Sequence, residues 1–483
     1  MKRILMCLLL FSSQLFGQEI YLPHEVETTA EPVGGASYLN QFIFANLKIP
    51  FRSAVNGLNT RMYVKGTVEP DGSMSQLEIS KGIDSLFDKE AIRVLSLYKA
   101  WKPATLKGVK VRQSMVYPIV FRVPAKTNFD STRFAFIDYF DDQFKPVTNV
   151  GPYEYRSVLP VDKNGYVNQD VVFEQLKNKK WKSVVTIPFQ KKEIWYKSGS
   201  LENGVDSVRA YQISARDENN ASFASEATFQ MNNKLLAITE YNSQGKASLN
   251  QEYDLNGMLR KTNTISENSE MEVRWYPNGQ MQSVIERNQA IKAGDISETR
   301  YIGMWEYDGT QRLKNGEGYW KSVSSEWNNK TFIEEGNVIE GRKNGVWKGK
   351  LSDSTLVYQE KYELGIFKEG FSMINGEKMA YDEPTKQPHF KGGLNEFYRF
   401  LGTNIRYPME AARRGVKGRV YLSFVVCEDG SLCDYKVEKS AGRDFDTEAL
   451  RVVKKMSGLW EPGAVRGKNV KVKYNLPINF QLQ

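Results

Sequence analysis

The chain has 483 residues, of which 41% are hydrophobic and 25% are charged, and its formal net charge is +9. This length is too great for one hydrophobic core and predicts about three domains. The charge is modest for such a chain and does not by itself indicate a nucleic-acid-binding protein.

The first residues have the pattern of a secretory signal peptide. Lys2 and Arg3 form a charged start, residues 4–16 are mostly apolar, and Gly17 is a small residue before Gln18. About thirteen apolar residues are too few for the roughly twenty that a spanning helix needs. We therefore predict a signal peptide at residues 1–17 and export to the periplasm or cell envelope. Retention as an inner-membrane anchor is the alternative, and export argues against nucleic acid as a partner.

The same unit occurs twice, at residues 34–121 and 392–480, which are called the N-terminal copy and the C-terminal copy. The two align at an offset of 358 residues in their first part and 359 in their last part. A match that mixes Gly, Pro and Trp in order does not arise from composition. Identical residues at equivalent positions are Gly34 and Gly392, Asn46 and Asn404, Pro50 and Pro408, Tyr63 and Tyr421, Gly72 and Gly430, Trp101 and Trp460, and Pro118 and Pro477.

The C-terminal copy shows its elements most clearly. Apolar residues at helical spacing predict a helix that ends before Tyr407 and a second helix from Phe445 to Met456. An alternating run at 419–426, the turn at Asp429 and a short run at 435–437 predict a hairpin. A last alternating strand covers 470–478. The order α-β-β-α-β predicts a small α+β domain with one antiparallel sheet covered by helices.

The last strand carries a proline in both copies. Because proline cannot donate to a ladder, Pro118 and Pro477 predict an edge strand, and an edge strand can accept another chain. We predict that this strand binds a partner, with main-chain bonds giving affinity and alternate side chains giving selectivity. The predicted partner-binding residues are Val470, Val472, Tyr474, Leu476 and Ile478.

Cys427 and Cys433 flank the predicted turn symmetrically and could face one another across the hairpin. An oxidising compartment permits a disulfide there, and two half-buried free thiols are the alternative. Their spacing is not that of a zinc site.

The middle region, residues 124–386, is rich in Tyr, Trp, Asn and Gly. Its Asn-Gly and Asp-Gly pairs favour primed hairpin turns, with the preceding aromatic residue packing across the hairpin. We expect a β-meander or solenoid of stacked hairpins that serves as a scaffold. An ordinary β-rich domain is the alternative. The recurring segments are Tyr241–Gly245, Tyr253–Gly257, Tyr276–Gly279, Tyr307–Gly309, Lys343–Trp347 and Tyr362–Gly365.

The sequence offers no convergent set of catalytic residues. The two histidines, His24 and His389, lie apart from any nucleophile pattern, and no metal-ligand spacing is visible. The glycine pairs lack the context of a nucleotide-binding loop. We predict no catalytic residue, no cofactor, no metal and no enzymatic activity.

The motifs of the C-terminal copy together resemble the TonB C-terminal domain, in the form typical of Bacteroidetes envelope proteins. The resemblance places this domain at 388–483 and a degenerate version at 32–123. The middle region resembles the MORN-variant, antitoxin-type repeats. The motifs are Phe390–Gly393, Tyr407–Pro408, Gly418–Val426, Asp429–Ser431, Phe445–Leu450, Trp460–Gly463 and Tyr474–Phe480.

The resemblance implies a periplasmic energy transducer whose C-terminal domain captures the TonB box of an outer-membrane transporter by strand addition. The sequence shows neither the histidine-bearing membrane helix nor the Pro-rich spacer of the family. Of the family's functions, we therefore expect peptide binding in this protein. Another envelope protein is a further candidate partner. The alternative function is a structural envelope adaptor that binds peptidoglycan or assembles into oligomers, because two terminal domains could act bivalently.

Overall fold

The computed structural model describes residues 19–147, 152–199, 207–242, 245–288, 298–327 and 330–481. The predicted signal peptide at 1–17 lies outside the described residues. The chain divides into two compact units between Gly316 and Glu317, inside the region predicted as one repeat domain. The described elements are mostly strands with few helices, as expected for an α+β or β-rich protein. In the described part of the chain, no helix has the length and apolar character needed to span a membrane.

The N-terminal copy contains one main sheet and three helices, of which α1 and α3 contribute buried side chains to the core. The strands of this sheet pair in the order β1-β7-β3-β4, and β6 also pairs with β7. Helix α3 begins where the Asp84 carboxylate accepts the backbone N–H groups of Leu86 and Phe87. The elements are β1 (Ile20–Tyr21), β2 (Glu31–Pro32), α1 (Ala36–Asn46), α2 (Phe51–Asn56), β3 (Leu58–Val68), β4 (Met74–Lys81), α3 (Ser85–Leu97), β5 (Trp101–Lys102), β6 (Ala104–Leu106) and β7 (Val109–Val123).

A small antiparallel sheet follows the N-terminal copy. Its order is β10-β9-β11-β12-β13, and β8 pairs with β9. The sequence analysis did not separate this sheet from the repeats. The strands are β8 (Phe129–Asp130), β9 (Ala135–Phe140), β10 (Pro146–Val147), β11 (Tyr155–Pro160), β12 (Val171–Lys177) and β13 (Lys180–Ile187).

The rest of the first unit is a meander in which consecutive strands pair antiparallel. Its strands are short, and glycine turns join several of them. The strands are β14 (Phe189–Tyr196), β15 (Val208–Ala215), β16 (Glu226–Gln230), β17 (Leu235–Tyr241), β18 (Ala247–Tyr253), β19 (Leu259–Ile265), β20 (Ser269–Trp275), β21 (Met281–Asn288), β22 (Glu298–Trp305) and β23 (Gln311–Lys314).

The turns of this meander differ from the primed turns that we predicted. Gly257, Gly279 and Gly309 have positive φ, but the Asn or Asp before each does not. A type I′ turn needs positive φ at both central residues and a type II′ turn needs it at the first, so these are longer turns closed by a glycine bulge. The ladder shifts register beside each of them, for example between Glu252 and Tyr253.

Helix α1 of the N-terminal copy packs against this meander, and the two share one hydrophobic core. The ring of Tyr38 lies edge-to-face on that of Trp305, with centroids 5.3 Å apart. The Oδ1 atom of Asn46 accepts the backbone N–H of Leu259 at 2.6 Å. The N-terminal copy is therefore built into the meander through its helical side.

The second unit begins with further antiparallel strands of the same kind. Here Glu340–Gly341, Leu364–Gly365 and Asn375–Gly376 have positive φ at both residues, as type I′ primed turns require. The strands are β24 (Glu317–Trp327), β25 (Lys330–Ile339), β26 (Arg342–Leu351), β27 (Leu356–Glu363), β28 (Ile366–Ile374) and β29 (Glu377–Tyr381).

Aromatic rings in these strands lie over a glycine on the facing strand. Trp347 is opposite Gly336 and Tyr358 is opposite Gly349. A Cβ atom on Gly336 would come within 2.4 Å of the Trp347 ring. Trp347 is fully buried, and its indole N–H donates to the carbonyl of Asn337 at 2.8 Å. Trp347 and Tyr358 are therefore core residues.

The C-terminal copy repeats the architecture of the first. Its three-stranded sheet has the order β33-β32-β37, and the amphipathic helices α4 and α6 supply its core. The Arg451 guanidinium donates to the Asn404 carbonyl at 2.6 Å, as Arg93 does to Asn46. The elements are β30 (Thr385–Lys386), β31 (His389–Phe390), α4 (Gly393–Asn404), α5 (Met409–Arg413), β32 (Gly418–Val426), β33 (Leu432–Lys439), α6 (Arg443–Lys455), β34 (Trp460–Glu461), β35 (Gly463–Val465), β36 (Lys468–Val470) and β37 (Val472–Phe480).

A hairpin of the C-terminal copy holds it to the preceding strands of its own unit. Arg466, at the β35–β36 turn, donates from Nε to Oε1 of Glu360 at 2.8 Å, and its guanidinium lies 3.5 Å from the Tyr358 ring centroid. The side chain of Glu360 is fully buried and also accepts the hydroxyls of Tyr362 and Tyr381. The N-terminal copy has Lys107, which is exposed, at the position of Arg466.

Candidate functional site

The candidate site is the outer edge of β37 in the C-terminal copy. Strand β37 pairs with β32 without interruption from Val472 to Phe480. Within the described part of the second unit, it has no strand on its other side. The strand predicted at 470–478 therefore lies at a sheet edge, and the unpaired edge offers main-chain groups to an added strand.

Most of the side chains predicted to bind a partner lie on the covered face of the sheet. Leu476 and Ile478 are only 7% and 2% exposed and belong to the core under the helices. Val470 lies in β36 and pairs with Gly463, outside the edge strand. Val472 and Tyr474 are half-buried on the same side as the core residues. Strand alternation makes these side chains part of the domain interior.

The residues between them face outward, and the sequence analysis missed them. Pro477 has no N–H, so its position in an intact ladder is one whose main chain points away from β32. By alternation, Lys473, Asn475 and Asn479 then direct their N–H and C=O groups to the open edge. Their side chains are exposed. Pro477 was therefore the signal in the sequence that shows which residues direct their main-chain groups to the open edge.

The opposite edge of the sheet, β33, is a poorer acceptor. Its ladder with β32 shifts register twice, between Tyr421 and Leu422 and between Ser423 and Val425. Charged side chains on this strand include Lys436 and Glu438, which form an ion pair at 2.7 Å. Bulges and charges on an edge strand oppose further pairing. Strand β37 is therefore the better candidate.

The exposed face beside β37 is polar and mainly basic. Glu438 accepts Lys473 at 3.0 Å, Lys436 at 2.7 Å and the Ser423 hydroxyl at 2.7 Å. The hydrogen bonds from Lys436, Ser423 and Lys473 lower the pKa of the Glu438 carboxyl to about 2. At the far end, Arg419 donates to Asn479. The face therefore keeps an excess of positive charge at neutral pH.

The equivalent edge in the N-terminal copy is partly occupied by the chain itself. Strand β1 pairs in parallel with β7, with Ile20 opposite Arg112 and Tyr21 opposite Gln113. The segment after β1 continues along the same copy, where the Ala30 N–H donates to Oε1 of the buried Gln113 at 2.7 Å. The two copies thus differ at the strand that was predicted to bind a partner.

Cys427 and Cys433 are joined across the β32–β33 hairpin, with Cα atoms 6.8 Å apart. The turn between them is held by the Asp429 carboxylate, which accepts the N–H and hydroxyl of Ser431. Across the described ranges, no three His, Cys, Asp or Glu side chains are grouped so as to hold a metal ion.

Comparison with known proteins identifies the class of both copies. Residues 46–123 and 403–482 match the family model for the C-terminal domain of the Gram-negative bacterial TonB protein. The chain therefore contains two TonB C-terminal domains, as the sequence motifs indicated.

The relatives found are TonB proteins. The chain is 34% identical over 96 residues to Protein TonB of Helicobacter pylori strain J99, and equally to that of strain 26695. The match covers 19% of this chain and 34% of either relative, so the chain spans about a third of the length of the curated relatives it matches.

Two solution structures of the H. pylori TonB C-terminal domain are also similar. The matched residues are 34% and 30% identical to this chain. The matches cover 19% and 18% of this chain, and 86% and 90% of the two solved chains. The TM-scores are 0.15 and 0.16.

Proposed function

We propose that the protein is a TonB-like periplasmic or cell-envelope protein whose C-terminal copy binds an extended peptide of an outer-membrane transporter. The peptide, of the TonB-box type, is added as a strand to β37. The observation that carries this proposal is the uninterrupted ladder of β37 on one side and its unpaired main chain on the other. Strand addition at such an edge is a general mode of peptide recognition.

The N-terminal copy has a structural role in this proposal. Its helix α1 is buried against the meander, and the start of its edge strand pairs with β1. The middle strands act as a scaffold. The protein contributes peptide binding and no catalytic step.

The test is a pull-down of the full-length chain with immobilised peptides from the plug segments of outer-membrane transporters. Enrichment over scrambled peptides is expected. The substitution Asn475→Pro removes a main-chain N–H that points outward while sparing the bonds to β32, so it should abolish binding.

Two control variants locate the effect. Asn475→Ala keeps the N–H and should bind. Val116→Pro makes the same change at the equivalent position of the N-terminal copy, where Val116 is 51% exposed, and should also leave binding intact. No enrichment over scrambled peptides, or equal loss in both proline variants, would contradict the proposal.

The basic C-terminal copy supports a second candidate function. Residues 388–483 contain 17 Lys and Arg against 10 Asp and Glu, a net charge of +7. An envelope adaptor could bind anionic cell-wall polymer through such a surface. Sedimentation with purified peptidoglycan separates the two functions, because binding to the polymer should weaken with salt and main-chain pairing should not.

A further inference from the structure

A pair of exposed apolar side chains stands beside the edge strand of the C-terminal copy. Leu394 and Tyr398 lie one turn apart on α4 and are 65% and 64% exposed. Tyr398 packs on Phe397, which itself contacts Trp460. Trp460 in turn contacts Tyr474 of β37, with ring centroids 4.9 Å apart. These contacts connect Tyr398 with the core-side face of the edge strand, and Leu394 lies one turn before Tyr398 on the same helix.

The pKa of Tyr474 supports the placement of Tyr398 beside the edge strand. Burial and then the neighbouring phenol of Tyr398 raise the pKa of Tyr474. In the N-terminal copy, the equivalent of Tyr398 is Asn40, whose Oδ1 accepts the hydroxyl of Tyr117 on β7 at 3.0 Å. This hydrogen bond shows that the helix position lies over the edge strand.

The other face of the same edge carries positive charge. Lys471, just before β37, and Lys473, within it, are exposed, and Arg419 of β32 lies opposite Asn479 near the other end of β37. Glu438 is shared between Lys473 and Lys436, so one carboxylate balances two ammonium groups. A strand added to β37 would therefore have an apolar wall on one face and basic side chains on the other.

The N-terminal copy lacks the apolar pair and has less positive charge along its edge strand, although Arg61 keeps the position of Arg419. Ala36 and Asn40 occupy the positions of Leu394 and Tyr398. Arg112, at the position of Lys471, is paired with Glu69 at 2.8 Å, and Ser114 replaces Lys473. The combination of apolar wall and basic face is thus specific to the copy with the open edge.

We propose that the peptide bound by the C-terminal copy alternates apolar and acidic residues along its length. Successive side chains of a strand point to opposite faces. Its apolar residues pack on Leu394 and Tyr398, and its acidic residues face Lys471, Lys473 and Arg419. This inference rests on the proposed strand addition and adds the chemistry of the peptide to it.

The test measures fluorescence anisotropy of labelled nine-residue peptides with the full-length chain. One peptide alternates Glu and Val, the second has the same composition with the Glu residues grouped, and the third alternates Lys and Val. The alternating acidic peptide should bind about tenfold more tightly than the other two, because one buried apolar side chain, or two to three exposed ion pairs together, is worth roughly that factor. In about 1 M salt, the difference between the Glu and Lys peptides should shrink while that from the grouped peptide remains.

Variants identify the side chains responsible. Leu394→Ser with Tyr398→Ser should weaken binding of the alternating peptide, and Lys473→Glu should reduce its preference over the Lys peptide. Phe44→Ser is the control, because Phe44 is 56% exposed on α1 of the N-terminal copy. Equal affinities for the three peptides, with binding still lost in Asn475→Pro, would overturn this inference and leave strand addition standing. Affinities that do not respond to Asn475→Pro would overturn both.

Discussion

Cys427 and Cys433 occupy the hairpin positions that Glu69 and Ser75 occupy in the N-terminal copy. There the Ser75 hydroxyl donates to the Glu69 carboxylate across the hairpin. The turns between the pairs are alike, since Asp71 and Asp429 each accept the N–H two residues later at 2.9 Å. The same cross-strand contact is a hydrogen bond in one copy and a covalent bond in the other.

At the residue scale, we predict that Cys427→Ser combined with Cys433→Ser lowers the unfolding free energy of the C-terminal copy by about 2 kcal/mol, the entropy of closing a short loop. Denaturant unfolding of the oxidised protein measures this change. Adding reductant should destabilise the wild-type protein and leave the double variant unaffected. Alkylation of both cysteines without reductant would show that the thiols are free.

At the scale of elements, the two copies attach to their neighbouring strands through different surfaces. The N-terminal copy uses α1, and the hairpin around Lys107 is exposed. The C-terminal copy uses the equivalent hairpin, with Arg466 between Glu360 and Tyr358, and Leu394 of α4 is exposed. Attachment through the hairpin leaves α4 and the edge of β37 available to a partner.

We predict that Arg466→Met destabilises the second unit by about 3–5 kcal/mol, because it leaves the carboxylate of Glu360 buried without its cation. Thermal or denaturant unfolding measures the loss. Lys107→Met changes the equivalent residue of the N-terminal copy, which is exposed, and should stay within about 0.5 kcal/mol of the wild type. Equal effects of the two substitutions would show that Arg466 is not an anchor.

The sequence predicted the elements of the copies better than their attachments. The α4 and β37 patterns were visible because apolar residues recur with the period of a helix or a strand, and the bounds differ by one or two residues. The predicted partner-binding residues include Leu476 and Ile478, which are buried, because alternation alone does not show which face of a strand is covered. Strand β1 has only two residues, which is too few to show a periodic pattern of apolar residues, so the sequence did not predict it. The bond from Leu259 to Asn46 joins residues that are distant in the chain and leaves no local pattern.

At the scale of the whole molecule, the short distance along the chain between residues 4–16 and Ile20 limits where the N-terminal copy could lie relative to a membrane. Ile20 is already paired in the sheet of the N-terminal copy. If residues 4–16 stayed in the inner membrane, the few residues before Ile20 would span at most about 14 Å when fully extended. The N-terminal copy would then be held against the membrane surface.

We predict that the mature protein begins at Gln18 and is recovered in the periplasmic fraction, because about thirteen apolar residues are too short to remain as a spanning anchor. Cell fractionation with N-terminal sequencing measures this. Recovery of Met1 in the inner-membrane fraction would instead support an anchored protein and direct energy transduction.

The contact between Tyr38 and Trp305 has a genetic consequence. The residue equivalent to Tyr38 in the C-terminal copy is Glu396. Recombination between the two homologous gene segments could place the second helix where the first belongs. The product would lose the ring contact between Tyr38 and Trp305 and would bring the charged pair Glu396 and Arg399 close to the buried Trp305 indole. Helix α1 has thus diverged until its C-terminal equivalent cannot replace it without loss of packing, and selection should remove such exchanges.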